Sequence, residues 1–130
     1  MKRLDIEWRH LLKGGRTCER CSDTGEAVHA AYRALAAELE PRGWCVTLRE
    51  TPLTEEDIAE SNTILLNGQP LELLLPGAHS ASNCCTSCGD LLGMPAMCRT
   101  IVHGGRIYEA IPGALIIEAA HRIVQQTLAD

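Results

Sequence analysis

Seven cysteines in 130 residues carry most of the chemistry this chain can do. Cys18-Glu19-Arg20-Cys21 sits near the front, Cys84-Cys85-Thr86-Ser87-Cys88 follows much later, and Cys98 comes ten residues after Cys88. Thiols two residues apart either close a redox disulfide or grip a soft metal ion. The thiolate is the reactive form, and a helix N-terminus favours it through backbone N–H groups and the helix dipole. By position in the turn, Cys18 is the candidate nucleophile and Cys21 the resolving thiol, working through a mixed disulfide. Arg16 and Arg20 add positive charge nearby, and Glu19 opposes them.

The second cluster supports several readings. Cys85-Thr86-Ser87-Cys88-Gly89 has the form of a metal knuckle, in which a glycine lets backbone N–H groups point at sulfur. A closed zinc site would use Cys84 or Cys85 with Cys88 and Cys98. A composite site would join Cys18 and Cys21 to Cys85 and Cys88. A third arrangement is a second dithiol that relays electrons to the first, and a fourth is a loop stapled by one disulfide. Converging thiolates also suit arsenite or mercuric ion. His79 is the one histidine read as an extra ligand. Cys45 lies in a strand pattern and reads as a small buried hydrophobe. His103, His121 and the acidic run Glu55-Glu56-Asp57 read as solvated surface, and Met94 and Met97 as packing.

The elements that must position these thiols follow from periodicity. Leu4 to Trp8 alternate apolar and polar, which predicts a half-buried strand. Asp23 with Glu26 resembles a capping box, and Ala27, Ala31, Leu35 and Leu39 recur at a four-residue step, so a helix is expected from Asp23 to Pro41. Trp44 to Leu48 and Thr63 to Leu66 read as strands, the latter closed by an Asn67-Gly68 turn. A short helix is expected at Thr54 to Ile58. Leu71 to Gly93 reads as a loop organised by its thiols, with the cysteine-rich insert at about 76–98. Arg99 to Ile111 predicts a hairpin around Gly104-Gly105, and Leu115, Ile116, Ala119, Ala120, Ile123 and Val124 mark a final amphipathic helix.

Strand, helix, strand, hairpin, helix is a thioredoxin-like plan: one α/β domain over 1–130, with a central mixed sheet of about four strands and flanking helices. A right-handed crossover makes the first two strands parallel neighbours. The first Cys-x-x-Cys then falls between strand one and helix one, where that fold keeps its dithiol. The chain also resembles a bacterial thioredoxin-like family, domain of unknown function 2703. The resemblance rests on Thr17-Cys18-Glu19-Arg20-Cys21, Ser61 to Gly68, Cys84 to Asp90, Cys98-Arg99-Thr100 and Tyr108 to Pro112. It implies that fold and cysteine-based chemistry by analogy, and brings no substrate with it. The fold places a cis-proline before its third strand, facing the dithiol. Asn62 stands at that position here, which tilts the site toward metal binding.

The remaining expectations come from composition. A net charge of -5 argues against nucleic acid and anionic membranes as partners. Met1 to His10 hold no apolar run of signal-peptide length, so the expected compartment is the cytoplasm. A reducing cytosol favours catalytic or metal-binding thiols over permanent disulfides. The expected partner is a disulfide-containing protein or small thiol, or else zinc or another thiophilic metal or metalloid. A protein-recognition module has no feature in its favour.

Overall fold

The computed structural model describes residues 2–13, 19–84, 92–93 and 97–129. The order is β1 (Lys2–Leu11), α1 (Glu19–Leu39), β2 (Trp44–Leu53), β3 (Thr63–Leu66), β4 (Gln69–Pro70), α2 (Leu71–Leu74), β5 (His79–Cys84), β6 (Met97–His103), β7 (Arg106–Tyr108) and α3 (Gly113–Ala129). Single 3-10 segments, Glu40–Arg42 and Glu55–Glu60, flank β2. The main sheet runs β2-β1-β3-β4, with β1 parallel to β2 and β3 antiparallel to both β1 and β4. A mixed four-stranded sheet with flanking helices is therefore present. No helix among the described residues is long and apolar enough to cross a membrane.

Alternation along β1 sorts its side chains onto two faces. Leu4, Ile6 and Trp8 are buried against Val28, Ala31, Leu35 and Leu39 of α1 and Leu115, Ile116, Ala119 and Ile123 of α3. Truncating a fully buried leucine such as Leu35 removes both transfer energy and packing, a loss of about 2–5 kcal/mol. The opposite face of β1 carries Asp5, Glu7 and Arg9. Thr47 Oγ1 donates to Asp5 Oδ1 at 2.6 Å, and Arg9 Nη1 reaches Glu60 Oε1 at 3.2 Å.

Glu7 is the hub of that ladder. It accepts from Thr51 Oγ1 at 2.7 Å, Arg49 Nη2 at 2.7 Å and Arg9 Nε at 3.0 Å. Partial burial alone would raise its pKa. The three hydrogen bonds and the charge of Arg9 outweigh burial and bring it down to about 2. A carboxylate depressed in the folded state stabilises it above the unfolded pKa, and that contribution is lost as pH falls toward the folded value. Glu7→Gln is thus expected to cost about 1–2 kcal/mol at neutral pH, after allowing for solvent screening. In urea unfolding at stepped pH, the gap between parent and variant should narrow as pH drops below about 4.5 toward 2. A gap independent of pH would contradict the role.

The structure departs from the sequence expectations at several places. α1 begins at Glu19 rather than Asp23, because its buried stripe runs back through Val28 and Thr24 to Cys21. Asp23 and Glu26 are exposed residues inside the helix, beyond its first turn. The fourth strand of the main sheet is the two-residue β4. Asn67 and Gly68, at φ 51° and 79°, make the tight turn into it. Asn67 also clamps β1, accepting from Asp5 N at 2.7 Å and donating to Arg3 O at 3.0 Å.

The predicted hairpin exists, as β6 and β7, in a separate sheet of order β5-β6-β7. β5, of sequence HSASNC, was expected to be loop; pairing with β6 overrides its weak strand propensity. The helix expected at Thr54 to Ile58 is the 3-10 segment, kinked at Asp57. Leu71, Glu72, Leu74 and Leu75, also expected within a loop, are buried, and Arg99 of β6 forms an ion pair with Glu72.

Candidate dithiol site

Four segments distant in sequence converge beside the first turn of α1: the end of β1, the turn itself, the approach to β3 and the stretch before α3. Cys21 is the third residue of α1, 1% exposed. Its Sγ lies 3.2 Å from Ser61 Oγ. Leu11 N donates to the same Ser61 Oγ at 3.3 Å. With that backbone N–H as donor, the hydroxyl hydrogen of Ser61 remains available for sulfur. A thiolate at Cys21 would receive there a charge-assisted hydrogen bond, stronger than a neutral one.

Asn62 is next in the chain and 2% exposed. Its backbone N–H donates to Arg9 O at 2.7 Å, which ties the approach of β3 to β1. Asn62 Oδ1 accepts from Trp8 Nε1 at 3.2 Å. Asn62 Nδ2 donates to Thr24 Oγ1 at 2.8 Å and to Glu109 O at 3.3 Å. Thr24 Oγ1 in turn accepts from Ile111 N at 3.0 Å. Thr24 and Ser61 are both fully buried. Burial makes each of these bonds worth keeping, because an unpaired polar group here costs its full desolvation. The backbone of Asn62 is left-handed, φ 69°, a conformation asparagine tolerates better than most residues. The peptide bonds of the described residues are all trans.

Trp8 reaches this network because Gly25 lets α1 lie directly on the indole. A Cβ at Gly25 would fall 2.9 Å from Trp8 Cζ3 and nearer still to Cη2. The glycine therefore sets the distance between helix and sheet one turn beyond Cys21.

Of the residues expected to carry chemistry, Cys21 is placed in full. Cys18, Cys85 and Cys88 lie outside the described residues, as do the side chains of Cys84 and Cys98. On the backbone, Cys84 ends β5 opposite Met97, and Cys98 lies opposite Asn83. Among the described residues, no three His, Cys, Asp or Glu side chains converge as a metal site. Cys45 is only partly buried, in β2 opposite Arg3. His79 is exposed at the start of β5. His121 does more than face solvent, since its Nε2 meets Glu38 Oε1 at 3.0 Å and so links α3 to α1.

Ser61, Thr24 and Trp8 were not read as site residues. The signal available was Asn62, singled out in the sequence because a thioredoxin-like plan would be expected to carry proline there. Ser61 meets Cys21, and Asn62 meets Thr24, near the start of α1.

These features define a mixed α/β protein with a sheltered cysteine held by a buried polar network. The chain belongs to the family described as domain of unknown function (DUF2703), which it matches over residues 4–120. A relative described as an uncharacterized protein of Archaeoglobus fulgidus is 34% identical over 117 residues, covering 87% of this chain and 82% of the relative. The relative is archaeal, whereas the resemblance read from the sequence was to a bacterial family. No solved structure matches the chain.

Proposed function

We propose that this protein is a thioredoxin-like thiol–disulfide oxidoreductase, with Cys18 as attacking thiol and Cys21 as resolving thiol. The observation that carries the reading is the placement of Cys21, buried in the first turn of α1 and facing Ser61 on the approach to β3. Sheet order β2-β1-β3-β4 with β3 reversed supports the thioredoxin-like build. In the reaction, the Cys18 thiolate attacks one sulfur of a disulfide and expels the other as a thiolate. The Cys21 thiolate then attacks Cys18, closes the Cys18–Cys21 disulfide and releases the second product thiol. Two electrons pass to the substrate disulfide, and the two protons shed by the dithiol end on the products. Ser61 steadies the charge on Cys21 before its attack.

The test is single-turnover reduction of bis(2-hydroxyethyl) disulfide by the reduced, desalted protein. Cys18→Ser should abolish it. A variant as fast as the parent would refute the assignment.

A second reading draws on the β5–β6 register, which brings Cys84 and Cys98 to neighbouring positions at the ends of 85–96. In that reading Cys84, Cys85, Cys88 and Cys98 hold zinc or another thiophilic ion, and binding is coupled to local folding. Cys88→Ser should lower the zinc content of protein purified without chelator. Zinc content unchanged by that substitution would contradict it.

A further inference from the structure

Glu50 is caught between two imidazoles. His10 Nε2 lies 3.4 Å from its Oε1, and His29 Nε2 lies 3.3 Å from its Oε2. The three side chains come from three elements: His10 from β1, Glu50 from β2 and His29 from α1. They line a hollow where the helix passes the ends of the two strands. Each imidazole takes a different carboxylate oxygen, so the trio brackets an anion rather than converging on a metal ion.

His10 is the constrained member. It is 7% exposed, and its ring stacks on Trp8 at 3.9 Å between centroids and 19° between planes. Nδ1 faces Leu11 O at 3.3 Å, while Nε2 faces Glu50. Both neighbours are acceptors, and a neutral imidazole has a single N–H. Either tautomer therefore leaves one bare nitrogen lone pair against an oxygen. Only with a proton on each nitrogen does His10 face both acceptors with an N–H, and its charge then also meets the carboxylate and the indole face. Burial sharpens the difference, because little water is at hand to relieve a mismatched lone pair.

The other charged side chains around the trio do not take over this role. Glu26 and Arg33 of α1 line the same hollow, one turn before and one turn after His29, and their opposite signs offset each other there. Arg9 and Arg49 lie on the opposite face of the sheet, bonded to Glu7.

We infer that His10 and Glu50 form a proton-operated latch that ties α1 to β1 and β2. With the extra proton, His10 holds Glu50 and Glu50 holds His29, so helix and strands are joined through one carboxylate. As pH rises and the proton leaves, His10 presents a lone pair to Glu50. The carboxylate, which is exposed, then turns to water, and His29 loses its partner. The latch stabilises the fold at the acid end of the range in which histidine changes charge, and that contribution is lost toward the alkaline end. It does not depend on the dithiol reading.

Two measurements test it. Nitrogen NMR of the His10 ring, in protein carrying isotope-labelled histidine, should show protons on both nitrogens at about pH 5 and on one at about pH 8. A ring in the same state at both values overturns the latch. In urea unfolding, Glu50→Gln keeps the size of the side chain and removes its charge. It should lower the ratio of folded to unfolded protein about tenfold at about pH 5, and less than about twofold at about pH 8. A loss equal at both values, or larger at the higher one, also overturns it.

Discussion

Cys21→Ser is expected to turn a transient intermediate into an isolable one. With Cys18 intact and the resolving thiol gone, reaction with a disulfide should stop at a mixed disulfide on Cys18, visible as an added half-substrate mass that dithiothreitol removes. Cys18→Ser should give no adduct at position 21, because Cys21 is only 1% exposed and its sulfur faces Ser61 rather than solvent. The asymmetry is the informative part. Equal adduct formation at 18 and 21 in the two variants would contradict the assigned roles, because burial leaves Cys21 accessible only from within the site.

Asn62→Ala is expected to produce the largest loss of stability of any single polar substitution near the site, about 3–5 kcal/mol. The change strands the Trp8 indole N–H and removes the amide that donates to Thr24 Oγ1 and Glu109 O. It also forces alanine to φ 69°, adding about 1–2 kcal/mol of backbone strain. Against a typical total stability of 5–15 kcal/mol, that is a large fraction. Asn62→Pro should be worse. Proline fixes φ near −65° and has no N–H to give Arg9 O, which Asn62 N reaches at 2.7 Å. Urea unfolding of both variants checks this. A loss below about 1 kcal/mol for Asn62→Ala would mean that the network contributes little.

How much could be read without coordinates depended on where hydrophobicity carries the signal. β1, β2 and α3 were legible because each has one apolar face, β3 because it is a short run buried throughout, and the turn after β3 because Asn67-Gly68 allows few other conformations. The start of α1 was not legible: its buried stripe enters through Cys21 and Thr24, which look polar or ambiguous in a hydrophobic pattern. β5 is a run of small polar residues whose strand exists only because β6 lies beside it.

The candidate site divides the same way. Cys-x-x-Cys spacing pointed to the turn, but Ser61, Asn62 and Thr24 meet Cys21 and Trp8 only after β3 docks against β1. Trp8 and Glu50 are register partners across the parallel β1–β2 pair, a relation that no local pattern around either residue displays.

The most direct test of the account is a thiol–disulfide redox titration with residue-resolved alkylation. Protein equilibrated across a series of dithiothreitol ratios would be acid-quenched, labelled, and the peptides carrying residues 18 and 21 quantified. The account predicts that Cys18 and Cys21 lose reactivity together in one two-electron transition, linked to each other by a disulfide. Contradiction would be a pair that stays fully labelled at every ratio, or one whose two cysteines are protected independently at different ratios.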